Sequence, residues 1–330
     1  MGSLRIVRAF VTGATGFIGG HVARRLVERG WEVTALARTP ERAAPLRALG
    51  VTVVPGDVTE PSSLIGPMRR ADAVFHLAAW YQLGVADRMR MFQINVRGTE
   101  NVMHAAREAG VARIVHCSSV AALGTHDAGE VPDETVRHSG RFGSVYEETK
   151  WMAHERVHEM ATDGVPVLTV MPGSVYGPGD TSILGVMLRF YAKGWLVALP
   201  FQDAGVSWVR VEDVADGVVD AHDKGRVGED YILAGDNATI GELLHRIAPL
   251  TGIRAPRVAI GRRMIKLSMP FAPIVGKILR QPSGILRDGL ESLSGSLEFS
   301  SDKARRELGY AFRSVEEGMP EVVAWYKENT

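Results

Sequence analysis

Val11-Thr12-Gly13-Ala14-Thr15-Gly16-Phe17-Ile18-Gly19 closes one pattern and opens another. Before it runs the short apolar segment Ile6–Val11, as expected of a buried strand. After it, Phe17–Arg29 places its apolar residues at helical spacing. A strand that turns into a helix through three glycines suits an anionic ligand. Gly13 permits the tight turn, Gly16 lets the backbone approach a pyrophosphate, and Gly19 lets the helix pack closely on the sheet. The free N–H groups around Thr15, Phe17 and Ile18 and the helix dipole then face the phosphates. A glycine triplet alone is weak evidence, and its place at the first strand-to-helix turn is what gives it weight.

The alternation continues. Strands are expected at Glu32–Leu36, Val51–Val54, Ala73–Leu77, Ile114–Cys117 and Val165–Val170. Helices are expected at Glu41–Leu49, Pro61–Arg69, Asp87–Ala109 and from about Tyr146. Short Val/Ile-rich strands separated by amphipathic helices predict an α/β, Rossmann-type doubly wound parallel sheet. Beyond Pro172 the alternation breaks, and Gly173, Gly177, Pro178 and Gly179 crowd together. The expected division is a dinucleotide-binding domain over 1–171 and a smaller, interleaved substrate region over 172–330.

The 330 residues carry 38 basic and 38 acidic side chains, and zero net charge argues against a protein built to hold nucleic acid. A single cysteine, Cys117, excludes an internal disulfide and fits a reducing compartment. No apolar run approaches the ~20 residues of a membrane span. The first residues lead into a strand-like segment without a secretory pattern, so the expectation is a cytoplasmic protein with no membrane span.

The end of the second strand bears on the choice of dinucleotide. An acid there would hold a ribose 2′-hydroxyl and favour NAD. Leu36-Ala37-Arg38-Thr39 has none. Arg38, with Arg42 as a helper, offers a guanidinium for a 2′-phosphate, so NADP is preferred over NAD.

Cys117-Ser118-Ser119 ends a strand, and Tyr146-x-x-x-Lys150 puts two side chains on one helix face a turn apart. A carbonyl that takes a hydride at carbon must gain a proton at oxygen. Tyrosine, with a reference pKa of ~10, needs a nearby ammonium to act near neutrality. A serine hydroxyl polarises the substrate oxygen. Taken with Thr12-Gly13-x-x-Gly16-x-x-Gly19, this constellation resembles the extended branch of the short-chain dehydrogenase/reductase superfamily.

The resemblance selects Ser119 as the catalytic serine and sets Ser118 nearer the cofactor. It implies contacts with the dinucleotide from Asp57 and Val58 of Gly56-Asp57-Val58, and from Leu77, Ala78 and Ala79 of His76-Leu77-Ala78-Ala79. The resemblance places Asn95 of Asn95-Val96-Arg97-Gly98-Thr99 near the cofactor or the central sheet, and adds Pro172 and Val175 of the stretch Pro172–Asp180 to the cofactor contacts. His76 is given no proton-transfer role. Two departures stand out: Met171 where an arginine is usual, and Arg210, which faces either substrate or an acid, where histidine is common. Ser301–Tyr310 extends the likeness almost to the end of the chain. Ser118–Gly124 looks most similar to the dihydroflavonol-reductase-like group, and the resemblance implies a homodimer through Asp87–Ala109 and Tyr146–Asp163.

These residues predict an NADPH-dependent reductase of ketones or aldehydes. The alternatives are an NAD-retaining nucleotide-sugar epimerase, which the same triad would serve, and a non-catalytic redox sensor. Trp80, Tyr81, Phe142 and Trp208 are the candidate substrate residues, with Trp195 and Phe201 as further loop aromatics, and they imply an apolar or aromatic small molecule. Basic and apolar together, Gly261–Arg280 is expected to cover the cleft rather than bind liposomes, because Pro270 and Pro273 interrupt it. No metal is expected.

Overall fold

The computed structural model describes residues 6–85, 87–271, 273–274, 277, 284–292 and 295–329. The strands are β1 (Arg8–Thr12), β2 (Glu32–Ala37), β3 (Thr52–Pro55), β4 (Ala73–His76), β5 (Arg113–Cys117), β6 (Val167–Pro172), β7 (Ser174–Tyr176), β8 (Ala198–Pro200), β9 (Gly205–Arg210), β10 (Asp230–Leu233), β11 (Asp236–Thr239) and β12 (Val258–Ile260). The longer helices that position the site are α1 (Phe17–Glu28), α2 (Gly98–Glu108), α3 (Val145–Thr162), α4 (Ile183–Ala192), α5 (Val211–Lys224) and α6 (Ile240–Thr251).

Seven strands form one parallel sheet in the order β3-β2-β1-β4-β5-β6-β10. Successive residues of its central strands face opposite layers. Phe10, Val74 and Ile114 pack with Val102, Met103 and Val157 on one side. Ala9, Val11, Phe75 and Val115 pack with Val22, Leu26, Val214 and Val218 on the other. Two such buried faces explain why these strands read as unbroken apolar runs. The strand order reverses between β1 and β4, and the crevice beyond their carboxyl ends is where such a sheet holds ligands.

The seventh strand comes from late in the chain: β10 pairs with β6, and α5 packs on α1. Residues 211–233 thus complete the sheet layer. The rest of the second half builds its own core around Trp208, Tyr176, Tyr191, Leu243 and Tyr326, beside the three-stranded sheet β11-β9-β7.

Three expected helices depart from their patterns, two by breaking and one by a local change of winding. Glu41–Leu49 is a tight turn, Pro40–Arg42, followed by the short helix Ala44–Ala48. Pro61–Arg69 divides likewise into Pro61–Ser63 and Ile65–Met68. The prolines at 40, 45 and 61 fit first-turn positions and restart the chain there. Asp87–Ala109 is continuous but carries a π-turn at Gln93–Arg97. No helix among the described residues is long and apolar enough to cross a membrane.

Candidate active site

At the β1–α1 turn the geometry requires glycine at two positions. Gly13 has φ +77°, and a Cβ there would lie 2.6 Å from the backbone at Leu77 and Ala78. A Cβ on Gly19 would lie 2.1 Å from the carbonyl oxygen of Gly13. The turn is therefore pressed between the β4 terminus and the first turn of α1. Gly16 is the N-cap of α1 and supplies no side chain, so the first-turn N–H groups stay open to a ligand.

From this turn a cavity of about 1080 Å³ runs along the carboxyl ends of the strands. It passes Thr15, Gly16, Phe17, Ile18 and Gly19, then Arg38 at the end of β2, Asp57 and Val58 after β3, and Leu77, Ala78 and Ala79 after β4. It continues past Ser118, Ser119, Tyr146 and Lys150 to Pro172 and Val175. Arg38 is exposed on the rim. Asp57 turns its carboxylate onto Thr59, accepting from the backbone N–H at 2.9 Å and the hydroxyl at 3.0 Å, which shapes the loop after β3.

Beyond the turn, the ends of β5 and α3 meet. Ser119 caps a short turn, its Oγ accepting from the Ala121 N–H at 3.2 Å, and it also lines the cavity. Ser144 caps α3 by accepting from the Glu147 N–H at 3.2 Å, and so sets the direction of the next two turns. Burial raises the pKa of the Tyr146 phenol, and a hydrogen bond with Ser119 acts against that rise. The Tyr81 ring stands edge-on to Tyr146 with centroids 4.8 Å apart. Lys150 Nζ donates to the Cys117 carbonyl at 2.9 Å, and burial lowers its pKa to about 8. Lys150 therefore keeps most of its charge at neutral pH.

Ser118 Oγ is buried with no hydrogen-bond partner among the described residues. That hydroxyl, the open N–H groups of α1 and the glycine-lined approach fit a dinucleotide laid along the strand ends.

A family profile described as "NAD dependent epimerase/dehydratase family" matches residues 9–234. The chain belongs to this family. It is an enzyme of the extended short-chain dehydrogenase/reductase kind, NAD(P)-dependent and acting on CH–OH or carbonyl groups. It is 31% identical to "Putative dihydroflavonol 4-reductase" of Synechocystis sp., over 97% of this chain and 94% of that one. It is 32% identical to "Sterol demethylase protein B" of Methylococcus capsulatus, over 96% and 98%. The crystal structure of gox2253 superposes with a TM-score of 0.81 at 33% identity, covering 98% of both chains.

Within this family fold, Asn95 is a positioning residue and does not line the cavity. Its side-chain oxygen accepts from the Trp80 N–H at 2.7 Å. Its amide donates to the Trp80 carbonyl at 3.1 Å and to Thr149 Oγ1 at 3.0 Å. Asn95 thus clamps the loop after β4 onto α3, from a π-turn that swings it inward. His76 is likewise structural, bonded to Thr12 Oγ1 at 2.7 Å and Thr99 Oγ1 at 2.9 Å, and burial pushes its pKa to about 3.

Two candidate substrate residues are corrected. Trp208 is fully buried in the second core, where its Nε1 donates to the Ala238 carbonyl at 3.1 Å. It lies on β9, whose residues are all buried, so both its faces are covered. Phe142 stacks on His138 and packs against Trp151, outside the cavity. Trp80 and Tyr81 do line it. Trp195 stands exposed on the surface, and Arg210 is buried in ion pairs with Glu212 and Glu321. Cys117 borders the cavity, and burial pushes its thiol up to about 11, so it is no nucleophile near neutral pH.

The sequence reading missed most of the far wall. It is built by Leu184, Met187 and Phe190 of α4, with Ile240 and Leu297, and Phe201 joins them. Phe201 alone among the described non-glycine residues has positive φ, at 56°, a strained backbone for an aromatic residue. The apolar character of α4 was the available signal, but it reads equally as core. Of Gly261–Arg280, the residues 272, 275–276 and 278–280 lie outside the described set. Met264, Leu267, Phe271 and Ile274 are exposed, and it is the helix Ile285–Ser292, through Gly289 and Ser292, that reaches the cavity.

Proposed function

We propose that this enzyme is an NADPH-dependent reductase of an apolar ketone or aldehyde, with Ser119, Tyr146 and Lys150 as its catalytic group. The observation that carries this reading is the far wall of the cavity. Leu184, Met187, Phe190, Phe201 and Leu297 offer apolar surface there. A nucleotide sugar would need cations for its diphosphate, and the cationic side chains among the described lining residues are Arg38, Arg90 and Lys150. Lys150 is buried at the chemistry and Arg38 stands at the dinucleotide rim. Relatives named for reduction and for sterol chemistry support the same direction.

Arg38 supports NADPH, because a guanidinium without an acid at the end of β2 matches a 2′-phosphate. When bound, the dinucleotide supplies the hydride. The chain's own part is to orient the carbonyl and move a proton. Ser119 holds the substrate oxygen, the Tyr146 hydroxyl gives that oxygen its proton, and the Lys150 ammonium steadies the phenolate left behind. Tyr81, edge-on to Tyr146, borders the approach.

Purified enzyme mixed with NADPH and a panel of carbonyl compounds of graded hydrophobicity should oxidise the cofactor stoichiometrically, fastest with apolar ketones or aldehydes. Tyr146→Phe should abolish most turnover and leave cofactor affinity unchanged. Tight retention of NAD with inversion of a nucleotide sugar and no net oxidation would overturn the reductase reading. Indifference to Tyr146→Phe would favour a non-catalytic sensor.

A further inference from the structure

The inner stripe of α3 carries more than the reaction uses. Lys150, His154 and His158 follow at four-residue spacing, so they project from one helix face. Lys150 serves the active site. The two histidines instead meet Asp230 at the start of β10, the edge strand contributed by the second half of the chain.

His158 Nε2 lies 2.9 Å from Asp230 Oδ2 and 3.0 Å from Oδ1, and His154 Nε2 lies 3.5 Å from Oδ2. One ligand atom from each residue falls within 4.8 Å of the others. Around a tetrahedral zinc-class ion, nitrogen and oxygen donors at ~2.0–2.2 Å are separated by roughly 3.3–3.5 Å. The two histidine–carboxylate separations, 2.9 and 3.5 Å, lie on either side of that spacing, and the third, between the imidazoles, is no more than 4.8 Å. The side chains of Asp230 and His154 are 9% and 4% exposed, whereas that of His158 is 37% exposed and opens a route from solvent. Two imidazoles and one carboxylate select borderline metals such as zinc over magnesium or calcium.

We propose that His154, His158 and Asp230 form a divalent-metal site of the zinc class, completed by water, which ties the catalytic helix to the edge strand β10. His154 Nδ1 has no hydrogen-bond partner among the described residues, so that ring lacks outer-shell support and the affinity should be modest. The ion would join two stretches 72 residues apart, α3 and β10, one turn beyond Lys150.

The test uses full-length enzyme freed of any affinity tag, stripped with EDTA and desalted. Titration with cobalt chloride should give the visible absorption of a tetrahedral nitrogen/oxygen site at one equivalent. Zinc chloride should bind at one equivalent by calorimetry and raise the unfolding midpoint. His158→Gln, at the most accessible ligand, should keep the far-UV spectrum and the dinucleotide affinity. It should weaken zinc binding by more than roughly tenfold, since even outer-shell partners are worth that much, and cancel the rise in midpoint. Three results would each overturn the proposal: no stoichiometric binding, binding unchanged in His158→Gln, or a cobalt–thiolate band that assigns the ion to Cys117.

Discussion

Gly13 and Gly30 offer a controlled measurement of what the dinucleotide turn demands. Both have nearly the same left-handed backbone, φ +77° and +79°. A Cβ at Gly30 would meet nothing within 4 Å, whereas one at Gly13 would lie 2.6 Å from the backbone at Leu77 and Ala78. Gly30→Ala therefore isolates the conformational cost, about 1–2 kcal/mol. Gly13→Ala adds overpacking against a backbone that cannot rotate aside, about 1–3 kcal/mol more. In a chain of this size each kcal/mol moves the unfolding midpoint by roughly 2 °C, so drops of roughly 2–4 °C and 4–10 °C are expected. The two variants should differ more sharply in function. Displacing Gly13 shifts the first-turn N–H groups of α1, and losing one hydrogen bond to a charged phosphate costs about 1.5–3 kcal/mol, or 10- to 100-fold in affinity. Gly30→Ala should leave dinucleotide affinity unchanged. Differential scanning fluorimetry and fluorescence titration with NADPH measure both. Equal midpoint drops, or an unchanged Kd in Gly13→Ala, would refute the argument.

Arg38→Ala should weaken NADPH about tenfold or more and leave NADH nearly unchanged, because a charge-assisted contact is worth about 1.5–3 kcal/mol; parallel titrations decide, and equal losses would remove Arg38 from the 2′-phosphate. Lys150 titrates near 8, so kcat/KM for carbonyl reduction should fall as pH rises through that value and the ammonium is lost. Burial keeps the Tyr146 phenol protonated across the same range. In Lys150→Arg the charge persists, and the falling limb should move to higher pH even if kcat drops; a limb that stays in place would assign it elsewhere. Trp208→Phe removes the indole hydrogen bond to the Ala238 carbonyl and leaves a gap in the second core, so it should cost about 1–3 kcal/mol of stability. Its KM should not move, and a large change in KM would return Trp208 to the substrate site.

The glycine turn, the meeting of Ser119, Tyr146 and Lys150 at one cavity and the run of buried strands were legible because each depends on local chemistry. A positive φ and a helix pressed onto the preceding turn need glycine at Gly13 and Gly19, and a proton relay needs tyrosine and lysine one helical turn apart. Asn95 shows the limit of such reading. Its motif marked it as important, but only the fold separates a residue that touches a cofactor from one that clamps Trp80 to Thr149. Trp208 and Phe142 failed for a related reason. A large aromatic near the chemistry in sequence can face the core, and burial is a property of every element packed around it.

The sequence by itself determined the parallel sheet and the glycine turn and singled out the proposed catalytic group, since those follow from periodicity and from side-chain chemistry within a few residues. Tertiary structure decided the rest. It brought β10 back to the sheet edge, set α4 and Phe201 in the wall of the cavity that Tyr146 lines, and buried Trp208. Each of those outcomes joins segments far apart in the chain, and no local pattern encodes which distant surface a side chain will meet.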